Sequence, residues 1–204
     1  MKINNENIEK QHQVVLRTAS YGEDIKLITR LFKKYPKNKD IDIVAMKIAI
    51  IDITNSTHLA LHKDKISIIE LAKCISNIKN IDNRIKNGDV TVVNEIAKCN
   101  GKINLFSFAS KYCCYHNHNL YGEDDYSIYD NILATNLPKY FKSKITTNKI
   151  NSWRKNFQYE EYNNYISENL KKLGINVKNP RRKFDHFVWF TERKNKSKKI
   201  IPHR

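Results

Sequence analysis

Residues that interrupt helices are scarce in this chain of 204 residues, which contains only 5 glycines and 4 prolines. A β-rich fold with many tight turns needs more of both, because glycine and proline supply the backbone angles of most turns. Apolar residues instead recur at helical intervals along most of the chain. We therefore predict an all-α fold of about eight to ten helices, at a typical length of about a dozen residues.

Long apolar runs are absent as well. No stretch of about 18 apolar residues exists, so the sequence offers no candidate transmembrane helix. The first residues, MKINNENIEKQHQ, lack the apolar region of a secretory signal. We therefore expect a cytoplasmic, nucleoid-associated protein whose four cysteines, Cys74, Cys99, Cys113 and Cys114, are reduced thiols. The cysteine spacing matches neither a zinc site nor an iron–sulfur run, so we predict no metal and no cofactor.

Acidic residues are few: 21 aspartates and glutamates face 37 lysines and arginines, which gives a formal net charge of +16. Such a chain attracts polyanions, and nucleic acid is the leading candidate. A genome biased toward lysine would also explain the excess. Anionic membranes are a weaker alternative, because no long, strongly amphipathic basic helix stands out.

Several boundaries can be read from the sequence. The segment IDIVAMKIAIIDITNSTHLALH is the most apolar and is predicted to form the central helix. Gly22 is predicted to separate the first two helices, and Ser67 with Glu70 forms a capping box that starts another. The segment NKINSWRKNFQYEEYNNYISENLKKLG is predicted to be one long helix that ends at Gly174.

One stretch, SFASKYCCYHNHNLYGEDDYSIYD, poses a chemical question. It places Lys111 between Phe108 and Cys113, where desolvating a charge is costly. Asp130 closes the stretch in a helix N-cap position before NILATNLPKYF. From these residues alone, Lys111 either extends out to water or is kept there for chemistry.

This stretch resembles the 8-oxoguanine DNA glycosylase branch of the helix–hairpin–helix DNA glycosylases. In that family a Gly-x-Gly-x-Lys hairpin carries a catalytic lysine, and a catalytic aspartate begins the next helix. Lys111 and Asp130 match these two residues and lie 19 positions apart, as in the family. Ser107 and Ala109 stand where the family has the hairpin glycines. The segment NLFSFASKY, followed by YSIYD, is similar to the corresponding segments of small prokaryotic members associated with anti-phage defence.

The resemblance implies an all-α, two-lobed helix–hairpin–helix glycosylase fold with a central DNA-binding cleft. Residues 1–190 would form a single domain with a core at residues 40–142, followed by a basic tail at 191–204. The implied partner is double-stranded DNA with a modified base, bound by a monomer without membrane contact. The implied substrate is 8-oxoguanine or a phage-modified cytosine, removed in base-excision repair or antiviral defence.

The lysine–aspartate pair suits base excision with abasic-site lyase activity. A flipped nucleotide exposes its C1′ atom. A lysine in a partly apolar pocket has a lowered pKa and can attack that carbon as a neutral amine. Asp130 at a helix N-terminus is expected to stay ionised and to stabilise the developing positive charge on the sugar.

Two further groups of residues are candidates for contacts. The predicted DNA contacts are Asn55, Ser56, Thr57, His58, Ser107, Ala109, Ser110, Arg181, Arg182 and Lys183. The predicted lining of a base pocket is Tyr112, Tyr115, His116, Phe187 and Trp189. Ordinary helix ends, core packing and a solvated basic loop explain the same residues, so both interpretations stay open. Asp52, among apolar residues, is a candidate to orient the cleft.

Two alternatives to a glycosylase also remain open. A catalytically silent DNA-binding module of the same fold would explain the charge and the missing hairpin glycines. A basic, helical RNA- or protein-binding domain would bind DNA without preferring damaged or abasic sites.

If the chain binds DNA through several phosphates, its affinity will fall steeply with salt. Each neutralised phosphate contributes a slope of about −0.9 to the plot of log K against log salt concentration. Fluorescence anisotropy with a short duplex over a range of salt concentrations measures that slope. A flat response would contradict the argument from charge.

Overall fold

A computed structural model describes residues 1–62 and 64–199. The described residues contain eleven α-helices, one short 3-10 helix at Leu59–His62, and no strand, which confirms the all-α prediction. The α-helices are α1 Asn5–Leu16, α2 Tyr21–Lys34, α3 Ile41–Asn55, α4 Ile68–Asn77, α5 Ile81–Lys86, α6 Thr91–Ala97, α7 Phe106–Tyr121, α8 Asn131–Phe141, α9 Thr147–Lys155, α10 Tyr159–Lys172 and α11 Pro180–Lys199. None of these helices is long and apolar enough to cross a membrane.

Helix α7 is the centre of the core, and it packs against α2, α3, α5 and α6. Every side chain from Phe108 to Asn117 on this helix is buried. The prediction that the apolar α3 is the central element is wrong, because Met46 and Ile53 on that helix are exposed. Hydropathy alone does not reveal centrality, since α7 buries a lysine, a histidine and an asparagine that find partners inside the protein.

Helix ends follow the capping signals. The Ser67 hydroxyl accepts from Glu70 N, and the Glu70 carboxylate accepts from Ser67 N, so the predicted capping box is present. Gly22, however, lies in the first turn of α2 and does not separate the helices. A Cβ there would lie 2.3 Å from the carbonyl oxygen of Leu16, so glycine permits the close approach of α2 to the end of α1.

The long helix predicted before Gly174 is two helices, α9 and α10. Phe157 between them has a left-handed backbone, with φ of 54°, and its half-buried side chain packs on the core. Continuous helical periodicity on both sides conceals this break, because the local strain at Phe157 is offset by tertiary packing. Helix α11 extends through residues 191–199 of the predicted tail, whereas residues 200–204 lie outside the described part.

Two of the four cysteines are not reduced thiols as predicted. Cys74 in α4 forms a disulfide with Cys99, which lies in the turn after α6. The two positions are 25 residues apart, so only the packing of the helices brings them together. Cys113 and Cys114 are free thiols buried in α7, and burial raises the pKa of Cys114 to about 12, which keeps this thiol protonated and unreactive.

A buried polar network joins the loop before α3 to three helices through Asn38. Its Oδ1 accepts from Lys47 Nζ at 3.0 Å and from Tyr112 OH at 2.7 Å. Its Nδ2 lies 2.9 Å from Asp82 Oδ1 and 2.7 Å from His116 Nε2. Asn38 and Lys47 are fully buried, so one amide satisfies several groups that have no access to water.

Replacing this hub should destabilise the fold. In Asn38→Ala, the buried Lys47 ammonium and Tyr112 hydroxyl lose an acceptor, which should lower the free energy of unfolding by roughly 2–4 kcal/mol. Urea denaturation followed by circular dichroism measures the change. Asn83→Ala, at an exposed position of α5, is the matched control. Equal small effects for both variants would contradict a central role for the network.

Candidate active site

A pocket of about 330 Å³ lies where the end of α3 meets α2, α7, α8 and α11. Its size falls within the range of about 300–1,000 Å³ that is usual for small-ligand sites. The pocket is lined by Tyr21, Thr54, Asn55, Ser56, Lys111, Ile128, Asp130, Ile132, Asp185, Trp189 and Arg193. Charged side chains and apolar side chains therefore face the same pocket.

Lys111 is held in this pocket by α7 and only 6% of its surface is exposed. Its Nζ donates to the carbonyl oxygen of Asn55 at 3.3 Å, at the C-terminal end of α3. Carbonyls at that end of a helix are unpaired and carry partial negative charge, which suits an ammonium. Burial lowers the pKa of Lys111 below its usual value, and the charges of Asp130 and Asp185 oppose this only in part. Burial thus shifts the balance of Lys111 from the ammonium toward the neutral amine.

Asp130 is the N-cap of α8, as predicted, and its Oδ1 accepts from Leu133 N at 2.7 Å. The residue before it is tied to α7 by two hydroxyl groups. Ser107 Oγ donates to the carbonyl oxygen of Tyr129 at 3.0 Å, and Ser110 Oγ accepts from Tyr129 N at 3.0 Å. These two bonds position Asp130 on the same pocket as Lys111.

Asp185 is a second carboxylate on the pocket that sequence reasoning missed. It lies on α11, is 5% exposed, and accepts from Arg182 at 2.8 Å. Burial raises the pKa of Asp185 to about 7, even though the Arg182 guanidinium opposes that change. The signal was present in the segment FDHFVWF, where a charged residue sits in an apolar run as Lys111 does.

Two aromatic rings form one wall of the pocket. Tyr21 and Trp189 are stacked, with ring centroids 4.5 Å apart and planes at 19°. The Arg193 guanidinium lies 4.7 Å from the Trp189 centroid. The Trp189 ring is thus held between an aromatic side chain and a guanidinium group. Sequence analysis named Trp189 but not Tyr21, which lies 168 positions away and becomes its neighbour only in the fold.

Among the predicted DNA contacts at the end of α3, Asn55 and Ser56 line the pocket. Thr57 does not line it, because its hydroxyl donates to Asp52 Oδ1 at 2.5 Å. Asp52 also accepts from Leu59 N at 2.9 Å, so it organises the loop that leaves α3. His58 is exposed on that loop.

The predicted hairpin at residues 107–110 is the first turn of α7, and the turn into this helix lies earlier, around Gly101. Ala109 and Ser110 are fully buried, and Ser110 also donates to the carbonyl oxygen of Ser107 at 2.9 Å. Their assignment as DNA contacts is therefore corrected. Ser107 and Ser110 act inside the protein, where they hold the segment that leads to Asp130.

The basic run at the start of α11 also has internal partners. Arg182 is buried against Asp185, and Lys183 Nζ donates to Glu9 at 2.5 Å. Arg181 donates through its backbone N and its guanidinium to Asp124. These contacts occupy the three side chains that were predicted to bind phosphate, and Arg182 is not accessible to DNA.

Of the five residues predicted for a base pocket, only Trp189 lines it. Tyr112 and His116 belong to the Asn38 network, and Phe187 is in the core. Tyr115 lies beneath the pocket, where its hydroxyl donates to Asn55 Oδ1 at 2.7 Å. Proximity to Lys111 in sequence is a poor guide here, because successive residues of a helix point about 100° apart.

Comparison with protein families supplies one relationship. The family model HI_0787_N, described as an N-terminal domain, matches residues 4–120, more than half of the chain. The chain belongs to this family. No curated protein and no solved structure matches it.

The HI_0787_N match includes Lys111, Asn55 and Tyr21 but ends before Asp130, Asp185 and Trp189. The pocket is thus completed by elements that follow the matched region. The family description names a position in a protein and no activity.

The burial of Lys111 predicts a specific pH dependence of stability. Its folded-state pKa lies below its unfolded value of about 10.5, so the unfolded chain binds more protons between the two. The free energy of unfolding of the wild-type protein therefore increases as pH rises through this window, by at most about 1.4 kcal/mol per pH unit, because the cost of burying the Lys111 charge disappears. Lys111→Met lacks this contribution, so any stability advantage of the variant should shrink as pH rises toward about 10.5.

Urea denaturation of both proteins from pH 7 to pH 10 tests this expectation. Lys102→Met, at an exposed position, controls for the loss of one lysine. A difference between wild type and Lys111→Met that is constant over the whole range would contradict the perturbed amine.

Proposed function

We propose that this protein is a DNA glycosylase with abasic-site lyase activity, which flips a modified base out of double-stranded DNA and excises it. The observation that carries the proposal is the pocket in which a buried lysine, two carboxylates and a stacked aromatic pair meet. The all-helical architecture and the order of Lys111 and Asp130 along the chain agree with the resemblance to helix–hairpin–helix glycosylases. On this proposal the helices form the two-lobed fold of that superfamily around a DNA-binding cleft.

The pocket offers suitable contacts for a flipped nucleotide. A flipped base can take the place of the Arg193 guanidinium over Trp189, since stacking is worth about 1–3 kcal/mol per base and accepts any base. Asn55 and Ser56 at the end of α3 can hydrogen-bond to a base edge or fill the space it leaves. Extrusion of the nucleotide costs a few kcal/mol, and these contacts would offset it.

In the first step, the neutral Lys111 amine bonds to C1′ of the flipped nucleotide. The bond from C1′ to the base breaks, and its electron pair leaves with the base, which takes up a proton. Asp185 is suited to deliver that proton, because a carboxyl with a pKa of about 7 is partly protonated at neutral pH. The attached lysine nitrogen then passes a proton to Asp130, whose anion also stabilises the positive charge on the sugar.

In the second step, the sugar ring opens. The nitrogen lone pair forms a C=N bond to C1′, the bond from C1′ to O4′ breaks, and O4′ takes the proton held by Asp130. Asp130, again a carboxylate, then takes a proton from C2′. The electron pair forms a double bond between C2′ and C3′ as the C3′–O bond breaks, which releases the 3′ phosphate and nicks the strand. A protonated Schiff base between Lys111 and the sugar is therefore the intermediate that distinguishes this chemistry from simple DNA binding.

The positive charge of the chain supports DNA as the partner. A formal charge of +16 attracts a polyanion. A cytoplasmic, nucleoid-associated monomer acting in base-excision repair or antiviral defence is part of the proposal. The proposed substrate is 8-oxoguanine or a modified cytosine, each of which is a planar base.

Borohydride trapping tests the proposed intermediate directly. Incubation with a duplex that carries an abasic site or a modified base should give a covalent protein–DNA adduct, because borohydride reduces the Schiff base. The adduct should disappear in Lys111→Gln and persist in Lys102→Gln, whose lysine is exposed. Binding of DNA without trapping or base release on any duplex would support the silent DNA-binding module instead.

Replacing either carboxylate, Asp130 or Asp185, should slow base release, whereas replacing Lys111 should abolish the covalent adduct. Asp130→Asn and Asp185→Asn should retain DNA binding and slow base release about 10²–10⁴-fold, the usual range for loss of acid–base assistance. Single-turnover release of the base, measured beside anisotropy for binding, separates chemistry from affinity. Asp64→Asn, at an exposed position, is the matched control. Loss of DNA binding in Asp130→Asn would recast this residue as structural only.

The substrate can be identified with a panel of duplexes that carry oxidised, alkylated, deaminated or glucosylated bases. Release of one class by wild type and not by Lys111→Gln would identify the substrate class.

A further inference from the structure

A groove of about 630 Å³ lies between the loop that precedes α3 and the turn that joins α4 to α5. It is larger than the pocket around Lys111 and shares no lining residue with that pocket. The loop leads into the first residue of α3, whereas the pocket lies at the last, so about 20 Å of helix separates them at 1.5 Å per residue. Six polar side chains of the groove are lysines or asparagines: Lys37, Lys39, Asn77, Lys79, Asn80 and Asn83.

The three lysines of the groove are exposed, and none of them forms an ion pair with another described residue. The three asparagines are exposed as well, so their amide N–H groups are accessible to a ligand. The groove therefore presents cations and hydrogen-bond donors that the fold does not use elsewhere.

The backbone that carries two of these lysines is fixed from the inside. Lys37 and Lys39 stand on either side of Asn38, whose buried amide is the hub of the core network. The carbonyl oxygen of Lys37 also accepts from the buried Lys47 Nζ at 3.0 Å. Since the loop is already held in place, a ligand of the two ammonium groups would not have to order it, which favours binding.

Acidic side chains cancel little of this charge. Asp82 is the single carboxylate on the described lining, and its Oδ1 accepts from Asn38 Nδ2 at 2.9 Å. Asp40, which follows Lys39, caps α3 by accepting from the backbone N–H groups of its first turn, and the positive end of that helix balances it in part. The groove thus keeps an excess of positive charge, which attracts a polyanion.

The residue types of the lining indicate which polyanion fits. Lysine and asparagine side chains are among those that contact phosphate oxygens and sugars in protein–DNA interfaces. The described lining has no aromatic ring on which unpaired bases could stack, and no arginine that could read guanine through two hydrogen bonds. This chemistry suits the backbone of a duplex and is indifferent to its sequence.

We propose that this groove binds the phosphodiester backbone of double-stranded DNA without regard to sequence, as a contact separate from the Lys111 pocket. The three lysines supply the charge, and the three asparagine amides donate to phosphate oxygens. The inference does not rest on the glycosylase proposal, because it concerns undamaged DNA and none of the groove residues lines the pocket.

Fluorescence anisotropy of the full chain with an undamaged duplex tests the groove through two triple variants. Lys37→Gln/Lys39→Gln/Lys79→Gln removes the groove lysines, whereas Lys10→Gln/Lys171→Gln/Lys178→Gln removes three exposed lysines that lie outside the groove. Both variants lose the same charge, and circular dichroism checks that both stay folded.

The groove variant should bind at least about tenfold more weakly at about 0.1 M salt, and its plot of log K against log salt concentration should be flatter by about 2–3, since each lost phosphate contact removes about 0.9 from the slope. The control variant should change affinity less than about twofold, because salt at that concentration screens charges beyond about 10 Å. Asn83→Asp, which adds a negative charge to the groove, should weaken binding about threefold, and Asn148→Asp, at an exposed position elsewhere, should not.

Three results would overturn the proposal. Equal weakening by the two triple variants would mean that net charge alone attracts DNA. A wild-type protein that does not bind the duplex would leave the groove without its ligand. If the groove variant lost affinity for a single strand of the same sequence but kept its affinity for the duplex, the partner would be a different nucleic acid.

Discussion

The position of Asp130 opposite Lys111 depends on two hydrogen bonds between α7 and Tyr129. Ser107 and Ser110 hold the backbone of Tyr129 through its carbonyl oxygen and its N–H. The same helix carries Lys111 directly after Ser110, and Asp130, the N-cap of α8, directly follows Tyr129. The small side chains of Ser107 and Ser110 therefore allow the segment before α8 to pack closely on α7. Their hydroxyl groups also satisfy the backbone N–H and carbonyl of Tyr129, which no neighbouring strand pairs.

The candidate site concentrates buried charge, and its electrostatic balance comes from distant parts of the chain. Lys111 gains a carbonyl of α3 and two carboxylates, from α8 and α11, while Arg182 accompanies Asp185. Removing one partner from such a set leaves an uncompensated buried charge, so the loss of any one of these side chains destabilises the others. Burial nevertheless lowers the pKa of Lys111 and raises that of Asp185 to about 7, so each group is shifted toward its neutral form. Such shifts are the cost in stability of placing charged groups in an apolar pocket.

Much of the local structure could be predicted from sequence. Caps at Ser67 and Asp130 depend on side chains within three residues of the helix start, so local chemistry determines them. The break at Phe157 and the disulfide between Cys74 and Cys99 could not be predicted, because packing between distant segments produces both. The choice of α3 as the central helix failed for a related reason. Hydropathy does not register a polar residue such as His116 that is satisfied by a partner 78 positions away.

The residues of the candidate site also fall into those that local sequence patterns predict and those that only the fold brings together. The sequence by itself determined that a lysine stands in an apolar stretch and that an aspartate begins the helix after it, because both patterns are local. Only the tertiary structure decided that Asp185, Tyr21 and Trp189 face the same pocket, and that Tyr112, His116 and Phe187 do not. The physical reason is that the direction of a side chain follows from how its helix is rotated against its neighbours. That rotation is set by the whole core and not by the residues next to the site.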